Sequence, residues 1–161
     1  MAKAVRHKLA HICILVKDVD QAIEHYRNIL GAVAPQLLKK KIIKHESYSG
    51  QDKYVEAFFP APGNACDIQL IQPVNPESPL YKRLEKYGEG FHHMAFTTSD
   101  LEDTAQRIKE KGIPYSGQFV SDKENPVLRW TWILPKGSNG VLIEVMDSYK
   151  VVNGKLAPDK D

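Results

Sequence analysis

Two apolar, strand-like segments far apart in the chain each carry a histidine near their start. His11 lies in the segment 9–16, and His93 lies in the segment 91–97, directly after His92. Neutral imidazole is the commonest metal ligand in proteins, and it also acts as an acid or base near neutral pH. A lone strand histidine is more often structural, but its recurrence suggests that both histidines serve one site.

A second pair of polar residues recurs in the same way. Gln69 and Glu144 each stand alone in the middle of an apolar run, at 67–71 and 142–146. A buried amide or carboxylate is costly without a partner. Brought together inside one curved sheet, His11, Gln69, His93 and Glu144 would offer nitrogen and oxygen ligands to a divalent transition metal. Such an ion would keep open positions for substrate and act as a Lewis acid.

Glu56 is a further candidate for chemistry. It lies in the strand-like run 54–59, with Tyr54 and Phe58 as its neighbours on the same face. A glutamate that faces inward between aromatic side chains is suited to take a proton from a substrate as a general base. The alternative is an outward-facing glutamate on a half-exposed strand, and the alternation pattern leaves both interpretations open.

A helical pattern follows each of the two histidine strands. The first runs over 18–30, begins with Asp18 as N-cap and ends at Gly31. The second runs over 99–111, where Ser99 and Glu102 have the spacing of a capping box. Because the histidine and the helix recur in the same order, the chain is interpreted as one unit written twice.

Strand patterns complete each of the two units. The sequence therefore predicts an α+β protein with two tandem βαβββ modules. The first module covers 8–74 and the second covers 91–147, with a connector that contains a short helix at 75–90 and a polar tail at 148–161.

The composition and the net charge limit which kinds of molecule this protein is expected to bind. The chain has 161 residues, of which 42% are hydrophobic and 26% charged, with a net charge of +2. This balance is typical of a globular domain and gives no reason to expect a nucleic acid or a membrane as partner. Cys13 and Cys66 stand in apolar runs, so we expect free thiols in a reducing compartment, which places the protein in the cytoplasm.

Several segments resemble the vicinal oxygen chelate superfamily, and within it the methylmalonyl-CoA epimerases. The similarity covers roughly residues 9–146. The segments are Ala10-His11-Ile12, Val16-Lys17-Asp18-Val19, Leu30-Gly31, Gly88-Glu89-Gly90-Phe91-His92-His93-Met94-Ala95-Phe96 and Gly140-Val141-Leu142-Ile143-Glu144. The last two are fairly specific to the epimerases, whereas a strand opened by histidine occurs throughout the superfamily.

The resemblance implies a fold, a site and a reaction. The two modules would form a cupped, incomplete eight-stranded barrel around a divalent ion of cobalt, manganese, nickel or zinc. The metal ligands fall on His11, Gln69, His93 and Glu144, and the catalytic glutamate falls on Glu56. The implied reaction is epimerisation of a methylmalonyl-CoA-like acyl thioester by a homodimer, through proton abstraction and enolate stabilisation, with Glu144 as a weaker candidate for the second acid or base.

Other functions within the superfamily remain open. A lactoylglutathione lyase-like isomerase uses similar ligands and the same enolate chemistry, and a non-enzymatic member would only bind a ligand. A ring-cleaving dioxygenase is disfavoured because its iron site uses two histidines and one carboxylate, which leaves Gln69 without a role. The chain departs from the epimerases at 121–126 and at Leu134, and the nearby Trp130 and Trp132 either pack in the core or stack on substrate.

Overall fold

Eight strands of the computed structural model, which describes residues 7–63 and 65–159, form a single sheet that closes nearly into a barrel. The strands are β1 (Lys8–Leu15), β2 (Ile43–Ser49), β3 (Asp52–Phe59), β4 (Asp67–Pro73), β5 (Gly90–Thr98), β6 (Val120–Ser121), β7 (Arg129–Ile133) and β8 (Ile143–Asp147). Their order across the sheet is β2-β3-β4-β1-β5-β8-β7-β6. Because each half holds the strands of one module, the predicted fold class is confirmed.

The two modules meet along β1 and β5, which pair antiparallel at the centre of the sheet. In each module the first strand also pairs parallel with the last strand, β1 with β4 and β5 with β8. At the open side, the Ser47 hydroxyl of β2 donates to the Asp122 carboxylate just after β6, at 2.5 Å. This contact ties the two outer edges of the sheet together.

Three helices connect the strands: α1 (Val19–Val33), α2 (Pro79–Tyr87) and α3 (Leu101–Glu110). Asp18 caps α1 as predicted, by accepting from the Gln21 N–H. The predicted stop at Gly31 is wrong, because α1 continues to Val33. The helix ends there because a residue that precedes a proline, here Ala34 before Pro35, disfavours the helical conformation. None of the helices in the described residues is long and apolar enough to cross a membrane.

The cap of α3 also differs from the prediction. Asp100 rather than Ser99 is the N-cap, and its carboxylate accepts from the Asp103 N–H. A carboxylate is a strong N-cap acceptor. Asp100 also directly precedes the buried Leu101, which is the first residue of α3 and of its buried face.

Helices α1 and α3 cover the outer face of the sheet and leave its inner face to line a cavity. Val19, Ile23 and Leu30 of α1 pack against Phe59 of β3, and Leu101 of α3 packs against β8. Helix α2 instead fills one end of the barrel, where its buried leucines join an inner cluster with the fully buried Cys13.

The opposite end of the barrel is closed by an element that is not part of the two predicted modules. Within the predicted polar tail, residues 149–158 form a hairpin of β9 (Tyr149–Val152) and β10 (Lys155–Pro158). Asn153 and Gly154 between them have φ angles of 51° and 73°, as a two-residue hairpin turn requires. The hairpin is held to the barrel by Tyr149, which is buried among core residues of both β7 and β8.

Candidate metal centre and active site

Three of the four predicted metal ligands converge at the centre of the cavity. His11 of β1 and His93 of β5 place their Nε2 atoms 3.3 Å apart. The Glu144 Oε2 atom, from β8, lies 3.2 Å from His11 Nε2 and 3.4 Å from His93 Nε2. All three side chains are buried, and their donor atoms lie within 4.8 Å of one another, so one ion could contact all three.

The local strand geometry explains why both histidines face inward. In the pairing of β1 with β5, Ala10 and His92 are extra residues that no partner matches directly. Each is therefore a β-bulge immediately before a ligand histidine. Each bulge shifts the alternation of side chains by one residue. Leu9 and Phe91 therefore lie on the outer face of the sheet, and His11 and His93 lie on the inner face.

Gln69, the fourth predicted ligand, lies on β4 and lines the same cavity. Its amide Nε2 donates to the Glu56 Oε2 atom at 2.7 Å, which directs the carbonyl Oε1 away from Glu56. Among the described residues, this buried Oε1 atom has no hydrogen-bond partner. A buried carbonyl oxygen without a donor is the atom that a cation would satisfy, so these residues fit a divalent ion with nitrogen and oxygen ligands.

The charge state of the candidate ligands suits a cation as well. Burial raises the pKa of Glu144, but the contacts with the His11 and His93 rings outweigh burial and lower the pKa to about 2. Burial lowers the pKa of His93, although the contact with Glu144 opposes the shift. At neutral pH the site therefore has one carboxylate and a neutral His93 ring, which is the form that binds metals.

Glu56 faces the cavity as predicted and is buried. Its second oxygen, Oε1, lies 2.6 Å from Nε2 of His45, the residue directly opposite on β2. His45 is about one-third exposed, and its hydrogen bond with Glu56 raises the pKa of the imidazole although burial opposes this. Sequence analysis missed His45, because the contact depends on the register of the β2–β3 hairpin.

Regular strand alternation would turn His92 to the face opposite His93 and away from the site, but the structure differs from this pattern. Because His92 is a bulge residue, its Nδ1 atom lies 2.8 Å from Nδ1 of His93. Burial, together with the neighbouring His93, lowers the pKa of His92 to about 3, so that its ring stays neutral. A neutral His92 can accept a hydrogen bond from His93 Nδ1 and leave Nε2 of His93 free for a metal.

The ligands separate two small chambers inside the barrel, each of about 60 Å³. Tyr54, Gln69, Trp130 and Glu144 line both. One chamber extends towards α2 and the other towards the C-terminal hairpin, where Leu156 closes it.

Of the regions that depart from the epimerases, the 121–126 segment lines the chamber on the hairpin side, through Asp122 and Asn125. The Asn125 side-chain amide donates to the Leu156 carbonyl at 3.2 Å, which ties the 121–126 segment to the hairpin. Trp130 is buried in the adjoining core cluster, whereas the Trp132 ring lies edge-on to the His93 ring, with 5.0 Å between centroids. Both tryptophans therefore pack, Trp130 in the core and Trp132 against a candidate ligand, and both border the chamber on the α2 side.

Comparison with known proteins identifies the family of this chain. The family model of the glyoxalase/bleomycin resistance protein/dioxygenase superfamily matches residues 10–128. The ethylmalonyl-CoA/methylmalonyl-CoA epimerase of Cereibacter sphaeroides is 31% identical over 144 residues, which cover 86% of this chain and 96% of that protein.

Solved structures show the same fold. The crystal structure of methylmalonyl-CoA epimerase from Mycobacterium tuberculosis has a TM-score of 0.68 and 33% identity, and 86% of each chain is covered. A variant of the Streptomyces coelicolor methylmalonyl-CoA epimerase, in complex with 2-nitronate-propionyl-CoA, has a TM-score of 0.67 and 28% identity, over 88% of this chain and 96% of that chain. The chain therefore belongs to the glyoxalase/bleomycin resistance protein/dioxygenase superfamily, and it is similar in sequence and in fold to the methylmalonyl-CoA epimerases.

Proposed function

We propose that this chain is a metal-dependent epimerase of an acyl-CoA thioester related to methylmalonyl-CoA. The observation that carries the proposal is the convergence of His11, His93 and Glu144 in a cavity that Gln69 also lines. In the part of the chain that the structure describes, the buried carbonyl oxygen of Gln69 has no hydrogen-bond partner. The substrate class is supported by the similar proteins, since the Cereibacter sphaeroides relative is an ethylmalonyl-CoA/methylmalonyl-CoA epimerase and the Mycobacterium tuberculosis structure is that of a methylmalonyl-CoA epimerase. Cobalt, manganese, nickel or zinc would all suit this ligand set.

The residues of the chain divide the chemistry between them. Glu56 is the base that removes the proton from the reacting carbon, because it faces the cavity and Gln69 and His45 hold its carboxylate in place. When bound, the ion supplies positive charge that favours the enolate form of the substrate. Inversion needs a second acid or base on the opposite face of the carbon, and Glu144 is the candidate for that role.

The assembly and compartment form part of the same proposal. Leu9, Phe91 and Phe96 lie on the outer face of the β1–β5 pair and are 39%, 48% and 39% exposed. Exposed apolar side chains at the centre of a sheet are typical of an interface, and they support the expected homodimer. The two free cysteines support a reducing compartment such as the cytoplasm.

Proton exchange tests the proposal directly. Methylmalonyl-CoA is incubated in deuterated water with the cobalt-loaded protein, and loss of the carbon-bound proton is followed by NMR. We expect exchange that stops with a chelator and falls by at least about 100-fold in Glu56→Gln, as for removal of a general base. Glu46→Gln makes the same change on β2 at an exposed residue that pairs with Lys53, and it should leave exchange unchanged.

Two results would contradict the proposal. Exchange that persists in the presence of a chelator would contradict the metal requirement. No exchange from a protein that binds cobalt would contradict the substrate, and conversion of a hemithioacetal by the same sample would then identify a lactoylglutathione lyase-like isomerase.

A further inference from the structure

The C-terminal hairpin contributes a side chain to the surroundings of the candidate metal centre. The Tyr149 hydroxyl, on β9, lies 3.2 Å from Nδ1 of His11. The same hydroxyl donates to Oδ2 of Asp67 at 3.0 Å, and the other oxygen of Asp67 accepts the Ala61 N–H at 2.7 Å. Asp67 lies next to His11 across the parallel pairing of β1 with β4. These contacts form a continuous chain from the backbone to the ligand.

The number of hydrogens available determines which group donates in each of these hydrogen bonds. A tyrosine hydroxyl has one hydrogen, and here it is donated to a carboxylate that can only accept. The hydroxyl oxygen can therefore only accept from His11, which puts the ring hydrogen on Nδ1. Burial and the charge of Asp67 raise the pKa of Tyr149 well above its usual range, so the hydroxyl keeps its hydrogen.

We propose that Tyr149 and Asp67 are positioning residues that fix the ring of His11 so that Nε2 is the nitrogen that binds metal. The inference rests on the proposed metal dependence. Nε2 is already the atom that faces His93 and Glu144, so the hydrogen on Nδ1 and the ligand geometry agree. Outer partners of this kind typically contribute 10–100-fold to metal affinity. The hairpin is thus part of the metal centre as well as a cover for the barrel.

Cobalt affinity tests the contribution of the hydroxyl. The dissociation constant is measured by competition with a chromogenic chelator for the wild type and for Tyr149→Phe. We expect binding to weaken by roughly 10–100-fold. Tyr26→Phe is the matched control, because Tyr26 lies on α1 and packs against Phe59 on the outer face of the sheet. A Tyr149→Phe protein that binds cobalt as tightly as this control would overturn the inference.

Asp67→Asn provides a second test that a structural role alone would not reproduce. The Ala61 N–H requires an oxygen, so the introduced amide would turn its NH₂ group towards Tyr149. Tyr149 would then accept from that group and donate to Nδ1 of His11, which moves the ring hydrogen to Nε2. Nitrogen NMR of the metal-free protein at about pH 8, where histidines are mostly neutral, should show the Nδ1–H form in the wild type and the Nε2–H form in the variant.

The two measurements distinguish failure of the proposed metal dependence from failure of the positioning role of Tyr149 and Asp67. A wild-type protein that holds no cobalt would contradict the proposed function, and the NMR result on metal-free protein would then decide the positioning role independently. The same Nε2–H form in wild type and Asp67→Asn would overturn the inference even if cobalt binds.

Discussion

Replacing Gln69 by leucine tests whether Gln69 is a metal ligand or only supports Glu56. Gln69 has two polar atoms in different situations, because Nε2 donates to Glu56 and Oε1 is buried without a partner among the described residues. If Gln69 is a ligand, the metal-free protein should tolerate the change while the metal-bound state loses much of its stability. If Gln69 only holds Glu56, metal should stabilise the variant as much as the wild type.

The expected magnitudes follow from these two atoms. Loss of the hydrogen bond to the Glu56 carboxylate costs roughly 1.5–3 kcal/mol, and removal of an unpaired buried carbonyl returns roughly 1–3 kcal/mol. The free energy of unfolding of the metal-free variant should therefore lie within about 2 kcal/mol of the wild type. Metal at about 100 times its dissociation constant stabilises the wild type by about 2.7 kcal/mol. A variant that binds about 100-fold more weakly would gain only about 0.4 kcal/mol.

Thermal unfolding with chelator and with cobalt measures both quantities. For a chain of this size, about 1 kcal/mol corresponds to a Tm change of 2–4 °C, so the wild-type gain should be about 5–11 °C and the variant gain less than about 2 °C. Gln72→Leu is the matched control on the same strand, because Gln72 Oε1 accepts the Val19 N–H at the start of α1. That control should lower both Tm values and keep the metal-induced difference. A full cobalt shift in Gln69→Leu would refute the assignment of Gln69 as a ligand.

Three further predictions follow from the site. Because the folded-state pKa of Glu144 is about 2, its stabilising contribution is present above its ordinary pKa and is lost as the pH falls from about 4.5 towards 2. Urea unfolding should therefore show a loss of about 3 kcal/mol over this window in the metal-free wild type, and a smaller loss in Glu144→Gln. His45→Gln should keep cobalt affinity but lower the ratio of deuterium washout to epimerisation by several-fold. The reason is that the buried Glu56 loses the partly exposed partner through which its proton would exchange with solvent. An unchanged ratio would contradict this role of His45. His92→Phe should weaken cobalt binding by about 10-fold, as a chelator competition would show, because His93 Nδ1 loses its partner, and unchanged affinity would exclude His92 as that partner.

Much of the fold and of the site could be predicted from the sequence because the same pattern occurs twice. Alternation along a strand assigns a face to each residue, and the repeat selects which polar residues must meet across the barrel. This reasoning predicts that His11, Gln69, His93 and Glu144 meet. The structure brings three of them together and places Gln69 in the same cavity. The roles of these residues remain predictions.

The residues that sequence reasoning missed depend on register rather than on pattern. His45 contacts Glu56 only because a short turn after Ser49 places them opposite each other. His92 joins the site because a bulge interrupts alternation, and a one-residue insertion has no signature in an apolar strand. The C-terminal hairpin did have a signal, because Asn153-Gly154 is a typical turn pair between residues that favour strands.

The two bulges also explain why the hairpin is needed. Ala10 and His92 occupy equivalent positions before the two ligand histidines, since each is the unmatched residue in the pairing of β1 with β5. His92 has a ring nitrogen and reaches Nδ1 of the ligand beside it, whereas the methyl group of Ala10 has no polar atom to offer His11. The partner of His11 must therefore come from outside the repeat, and Tyr149 supplies it from the hairpin. The symmetry of the two modules thus holds for the ligands and ends at the residues that support them.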